Sequence, residues 1–207
     1  STIRYHLPKL GLGFLVFLLG VEFYVREWDL SVPFPVVGGW EYYLVAVLCM
    51  TIAPGFSYGL YLYYKDKYYH ESWSLLGKLF LLGILLSTLA GIGERIFAVI
   101  LGYDQSSSAV EHFFYMFFVV ATLEELVKFV VVWKIAYHTP MLKQVYDGIL
   151  FCAASALGFA TIENIFYVFA SGGHAIAVAL SRALTAVPLH VSAGMIMGYG
   201  MGRAKAV

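Results

Sequence analysis

The chain has 207 residues, of which 61% are hydrophobic and only 13% charged, against about 45–50% and 25% in soluble domains. So few charges cannot cover a water-facing surface, and part of the solvent must be lipid. The 13 basic and 13 acidic residues cancel, which excludes a basic field for nucleic acid and an acidic tail. Cys49 and Cys152 each lie inside an apolar run and support neither a disulfide framework nor a metal knuckle.

A spanning helix needs about 20 mostly apolar residues. Six stretches qualify in chain order: 10–25, 42–62, 75–101, 111–137, 145–170 and 174–201. Turn-forming or polar residues separate them, among them Pro33, Gly38-Gly39, Asp66, Asp104, Pro140 and Ser171-Gly172-Gly173. The first stretch reads as a span and not as a cleaved leader, because no small-residue cleavage site follows it and Glu22 and Arg26 do. The expected fold is an all-α, polytopic membrane bundle of about six or more helices with an intramembrane polar cavity. All of residues 1–207 form a single integral membrane domain in this reading.

Lysine and arginine alternate between the connections. Arg4 and Lys9 precede the first span, Lys65, Lys67 and Lys78 surround the second loop, and Lys134 and Lys143 mark the fourth. The third and fifth loops have none, and Arg203 and Lys205 close the chain. The positive-inside tendency then places both termini in the cytoplasm of a multi-pass cell-membrane protein. Tyr42, Tyr43, Tyr61, Tyr63, Tyr64, Tyr68, Tyr69 and Trp73 sit where aromatic belts anchor spans.

Removing loop residues leaves Glu94, Arg95, Glu124, Glu125, Lys128, Glu163, Asn164, Arg182 and His190 inside the spans. Each charge there costs at least about 2.5–3.5 kcal/mol on insertion scales, so these groups face one another or a water-filled cavity. Counting the helical rise puts Glu124, Glu125 and His190 in a mid-membrane layer, with Glu94, Glu163, Asn164 and Arg182 in an outer layer that could merge with it.

Glu124 and Lys128 are four residues apart and are expected to pair, which leaves Glu125 without an obvious partner. Two adjacent carboxylates in low dielectric repel, the setting of a catalytic acid–base pair. Pro188 should kink or unwind the last span close to His190. Gly194, Gly198 and Gly202 then form a small-residue seam for close helix packing. Arg182 reads as a counter-ion for Glu94 or Glu163, or as an oxyanion donor. Glu163-Asn164 pairs an acceptor with a two-way amide. Glu94-Arg95 reads as an interfacial pair, and Asp147 as a helix cap.

These residues fall into ordered motifs. Glu124-Glu125-Leu126-Val127-Lys128 has the form EExxK, and Phe159 to Asn164 the form FxxxEN, preceded by Asp147-Gly148-Ile149. Arg182 and His190 have the form R-x7-H, and Ala53-Pro54-Gly55 leads to Tyr63-Tyr64-Lys65-Asp66-Lys67-Tyr68. Over residues 42–202 this resembles the PrsW family of intramembrane proteases, related to the CAAX prenyl endopeptidases and the scaffold subunit of γ-secretase. The resemblance implies an active site of Glu124, Glu125, Glu163 and His190, supported by Lys128, Asn164 and Arg182. It implies cleavage of single-span membrane substrates such as anti-sigma factors, near the extracytoplasmic side. Seventeen residues follow His190; some relatives carry more hydrophobic sequence there, so a further C-terminal helix is expected outside this chain.

Chemically, Glu125, or Glu124 in its place, would act as general base on a water, with His190 positioning that water or protonating the leaving amine. Arg182 or Asn164 would stabilise the oxyanion. A Zn²⁺ version with His190 and two or three carboxylates as ligands stays open, although one His among several Glu does not compel zinc. The rivals are a non-catalytic scaffold or receptor that binds partner helices, and a proton-coupled transporter, which also keeps acids and bases in the membrane.

Overall fold

The structure, a computed structural model, describes residues 39–66, 71–104 and 106–205. The predicted first span, 10–25, lies outside the described residues. Among the described residues there is no strand. Helix α1 runs Gly39–Lys65 and α2 Trp73–Leu101. The next stretch is helical throughout but changes winding: α3 Ala109–Phe114, a π segment Tyr115–Ala121, α4 Thr122–Val132 and a second π segment Trp133–Tyr137. Helix α5 covers Val145–Ala170, a short 3₁₀ turn Gly172–His174 follows, and α6 Ala175–Leu184 leads to α7 Ala186–Lys205.

Among the described residues, four helices are long and apolar enough to cross a membrane: Leu44–Lys65, Trp73–Leu101, Val145–Ala170 and Ala175–Lys205. The predicted span 111–137 is not among them, being divided into short segments with Glu124, Glu125 and Lys128 at its centre. The outward faces are those of a membrane protein. On α2, Leu81, Leu85, Leu89, Ile92 and Ile96 form an exposed stripe at helical spacing, while Leu75, Leu79, Gly83 and Ala90 are buried.

Local chemistry sets the ends. The Ser72 hydroxyl accepts from the Leu75 N–H at 3.2 Å to start α2, and Gly102, at φ 65°, closes it in the left-handed region that favours glycine. Ser108 and Glu111 make a capping box at the start of α3. Asp147 caps α5 as expected, its Oδ2 accepting from the Lys143 and Gln144 N–H groups at 2.8 and 2.9 Å. The predicted interruption before His190 occurs at Thr185, between α6 and α7. Pro188, in the first turn of α7, has no N–H to return to the Leu184 carbonyl.

The chain forms two compact units and passes between them ahead of α2, within α5, after Phe159, and within α7, after Val191. In the first, α1 packs on α6 through Ala46, Val47, Met50, Ala175 and Ala179, joined by Val168 of α5. In the second, α2 packs on α4, and α5 is held against both α2 and α7 by backbone-to-backbone approach. A Cβ on Gly158 would stand against the Phe80 backbone, 2.8 Å from its carbonyl carbon and within reach of its oxygen. One on Gly198 would lie 2.7 Å from the Ile149 Cα, so the Gly194–Gly198–Gly202 seam is a seat for α5. Gly158→Ala should therefore cost about 1–3 kcal/mol, because rigid backbone must move. Thermal unfolding in detergent should register a lower midpoint. Gly91→Ala, with open space around its Cβ, should show no loss; equal midpoints for the two variants would contradict the close approach.

Candidate active site

Within the first unit, one carboxylate gathers the polar residues of α5, α6 and α7. Glu163 Oε2 accepts from Arg182 Nη2 at 2.8 Å and lies 2.9 Å from His190 Nε2. Arg182 Nε donates to Asn164 Oδ1 at 2.6 Å, and the guanidinium sits 4.1 Å over the Tyr167 ring. Asn164 and His190 are buried, and the Arg182 side chain is only 15% exposed. A carboxylate can only accept, so His190 Nε2 carries the proton, and in the neutral ring Nδ1 is the basic, ligating nitrogen. Such a carboxylate fixes both the tautomer and the orientation of an imidazole.

Of the two carboxylates weighed as partner for Arg182, Glu163 is the one found. The two layers, which the sequence left free to merge, meet at Glu163 and His190, which are hydrogen-bonded. The interruption at Thr185, which separates α6 from α7, lies between Arg182 and His190. Glu94 serves α2 differently, its backbone carbonyl accepting the Tyr115 hydroxyl at 2.5 Å.

The second group lies on α4. Lys128 is 1% exposed and its ammonium contacts Glu125 Oε1 at 2.7 Å, Glu124 Oε2 at 3.6 Å and the Phe159 ring, 4.3 Å to its centroid. Lys128 pairs with Glu124 as expected, whereas the expectation that Glu125 would lack a partner is corrected: Glu125 holds the ammonium more closely. Positions three and four residues back share a face of the helix, and the buried ammonium takes the nearer carboxylate in closer contact. Glu125 Oε2 is shielded from solvent and has no hydrogen-bond partner among the described residues. A shielded carboxylate oxygen without a donor is costly unless something positive or hydrogen-bonding reaches it.

Sequence reasoning misses Tyr167 altogether and gives Phe159 only as the first residue of a motif. Tyr167 follows Glu163 by one helical turn, which was the available signal. Phe159 opens the FxxxEN motif, and its ring is a cation–π partner of Lys128.

The profile of the PrsW family, described as intramembrane metalloproteases, matches residues 71–207. The chain belongs to the PrsW family. Protease PrsW of Geobacillus kaustophilus is 35% identical over 162 residues, covering 78% of this chain and 68% of that protein. Protease PrsW of Oceanobacillus iheyensis is 35% identical, covering 78% and 71%, and that of Bacillus subtilis 32% identical, covering 78% and 70%. No solved structure matches the chain significantly. Every charged or amide residue singled out from 94 to 190 falls within the matched stretch. As a PrsW protein the chain is a membrane-embedded peptidase whose substrate is a protein in the membrane, which decides against the scaffold and transporter readings.

The PrsW description implies a metal ion. The chemistry of the residues fits one: carboxylates and a single imidazole are hard-to-borderline donors, and the unpartnered Glu125 Oε2 has the character of a ligand atom.

Arg182 holds two acceptors with two different nitrogens of a planar fork, which lysine cannot do. Arg182→Lys should lower kcat/KM by about ten- to a hundredfold, the scale of losing a residue that orients a ligand. Cleavage kinetics on detergent-purified protein measure this; unchanged kinetics would relegate Arg182 to packing.

Proposed function

We propose that this PrsW protein hydrolyses single-span membrane proteins, anti-sigma factors among them, near the extracytoplasmic side, with Glu124, Glu125, Glu163 and His190 serving one reaction. The proposal includes the full complement of six or more spans in one integral domain, with both termini cytoplasmic, as the distribution of Lys and Arg suggests. The observation that carries the chemistry is the Glu163 carboxylate shared between Arg182 and His190. It leaves the imidazole oriented and its tautomer set, which mere helix packing does not require.

In this reading Glu163 is a positioning residue, acting through His190. Glu125 takes the proton of the attacking water as general base, with Glu124 beside it, and Lys128 limits the repulsion between the two carboxylates. Glu125 then hands that proton to the leaving amine, while His190 positions the attacking water. Arg182, with only two of its five N–H groups engaged by Glu163 and Asn164, stabilises the negative charge that develops on the carbonyl oxygen. A divalent cation, Zn²⁺ among the candidates, would take its donors from the His190 imidazole and the carboxylates; when bound it would supply Lewis acidity and a more acidic water.

The test is cleavage of a single-span substrate tagged at both ends, reconstituted with the purified protein in liposomes. A cut near the outer end of the span, lost in His190→Ala while the variant stays folded, is the expected outcome. Normal cutting by His190→Ala, or a cut on the cytoplasmic side, would count against this reading.

A further inference from the structure

Outside this machinery, the second unit carries a cleft of about 350 Å³ where α2 ends and α3 passes into the first π segment. Its lining combines an apolar floor with a polar edge: Phe114 and Phe118 on one hand, Tyr103, Ser107, Glu111 and Tyr115 on the other. The walls are firmly set. The Tyr103 and Tyr115 rings stack at 3.8 Å, 7° from parallel. Tyr115 is tied to the Glu94 carbonyl, and the Tyr103 hydroxyl to His112 Nδ1. Glu111 Oε2 is committed to the Ser108 N–H and hydroxyl at 2.8 and 2.9 Å, which fixes the carboxylate at the cleft while Oε1 is not part of that box.

From Ile96 to Val127 the sequence contains no Lys or Arg, whereas Asp104 and Glu111 both lie in the segment that forms the cleft. The Ser106 hydroxyl and N–H donate to Asp104 and hold its carboxyl below the usual carboxylate range, so this acid stays ionised. An anionic edge, paired aromatic rings and an apolar floor together suit a guest with a cationic head on an apolar stem. Lysine and arginine side chains have that form, and they lay the stem on apolar surface while the head reaches a carboxylate or ring face.

We propose that this cleft is a docking site for a basic side chain of the protein substrate, at the point where that substrate leaves its own apolar span. The proposal rests on the proteolytic reading and adds a specificity element apart from the hydrolytic residues. The geometry makes Glu111 the discriminating group and the Tyr103–Tyr115 pair its aromatic wall.

The test uses two single-span substrates that differ only at the first residue beyond the apolar segment, Lys in one and Glu in the other. Wild-type protein should show a KM about tenfold lower for the Lys substrate, with kcat unaffected, the scale of one charge-assisted contact. Glu111→Gln keeps the capping-box hydrogen bonds and hence the fold, and should bring the two KM values together. High salt should do the same in the wild type. Equal KM values in the wild type, or a preference that survives Glu111→Gln, would overturn the proposal. Anisotropy of the two labelled segments binding to wild-type and Glu111→Gln protein measures the same preference without turnover. If neither substrate is cut, the proteolytic reading fails, while the ratio of Kd values still decides the docking site.

Discussion

Glu125→Gln is expected to reduce kcat for peptide hydrolysis by about a hundred- to ten-thousandfold, the usual contribution of a general base, with little change in folding. The reason lies in how the side chain is used. Oε1 accepts from the Lys128 ammonium at 2.7 Å, and a glutamine carbonyl oxygen can take over that hydrogen bond. Oε2 has no partner, and glutamine puts an amide N–H₂ there, which can neither take a proton from water nor bind a cation. Structure is preserved and proton affinity is lost. The check is initial-rate cleavage of a single-span substrate beside a thermal unfolding curve of the same sample. A variant that is folded and fully active would remove Glu125 from the chemistry and leave Glu124 as the base.

Lys128→Met carries the largest expected effect on stability. The ammonium is 1% exposed and lies against two carboxylates and the Phe159 ring. Removing one member of a buried charged set leaves the others uncompensated, at about 3–5 kcal/mol. Methionine keeps most of the volume, so cavity formation contributes little and the electrostatic loss dominates. Combining Lys128→Met with Glu125→Gln removes one of the stranded charges and should recover a substantial part of the lost stability, a non-additivity expected of residues in contact. Unfolding midpoints of the two single variants and the double variant measure it. A Lys128→Met protein as stable as the wild type would show that the carboxylates are neutralised by something other than this lysine.

The helices were legible because membrane solvent forces long apolar runs, and the punctuation between them is strong. The stretches 145–170 and 75–101 needed almost no adjustment, and Pro188 announced the break at Thr185. The polar residues were legible for the same reason, since a charge inside an apolar run has no bland solvent. What stayed hidden was geometry below the level of the helix. Whether Lys128 favours Glu124 or Glu125 depends on rotamers within one helical face. Glu163 meets His190 between two helices, α5 and α7, and the rise along one helix gives depth without saying which side chains of different helices meet. The π segments on either side of α4 leave no compositional trace, although such windings recur at functional sites. Nothing in the sequence singles out Tyr103 and Tyr115; their stacking places them along one cleft.

Whether Glu125 and His190 serve one metal-assisted hydrolysis is decided by elemental analysis of purified, active protein alongside its cleavage rate. The wild type should contain about one divalent transition metal per chain, as an active site with a single imidazole among carboxylates would bind. Glu125→Gln and His190→Ala should each lose metal and cleavage together while remaining folded. Full cleavage by wild-type protein stripped of metal, or normal cleavage by either variant, would contradict it.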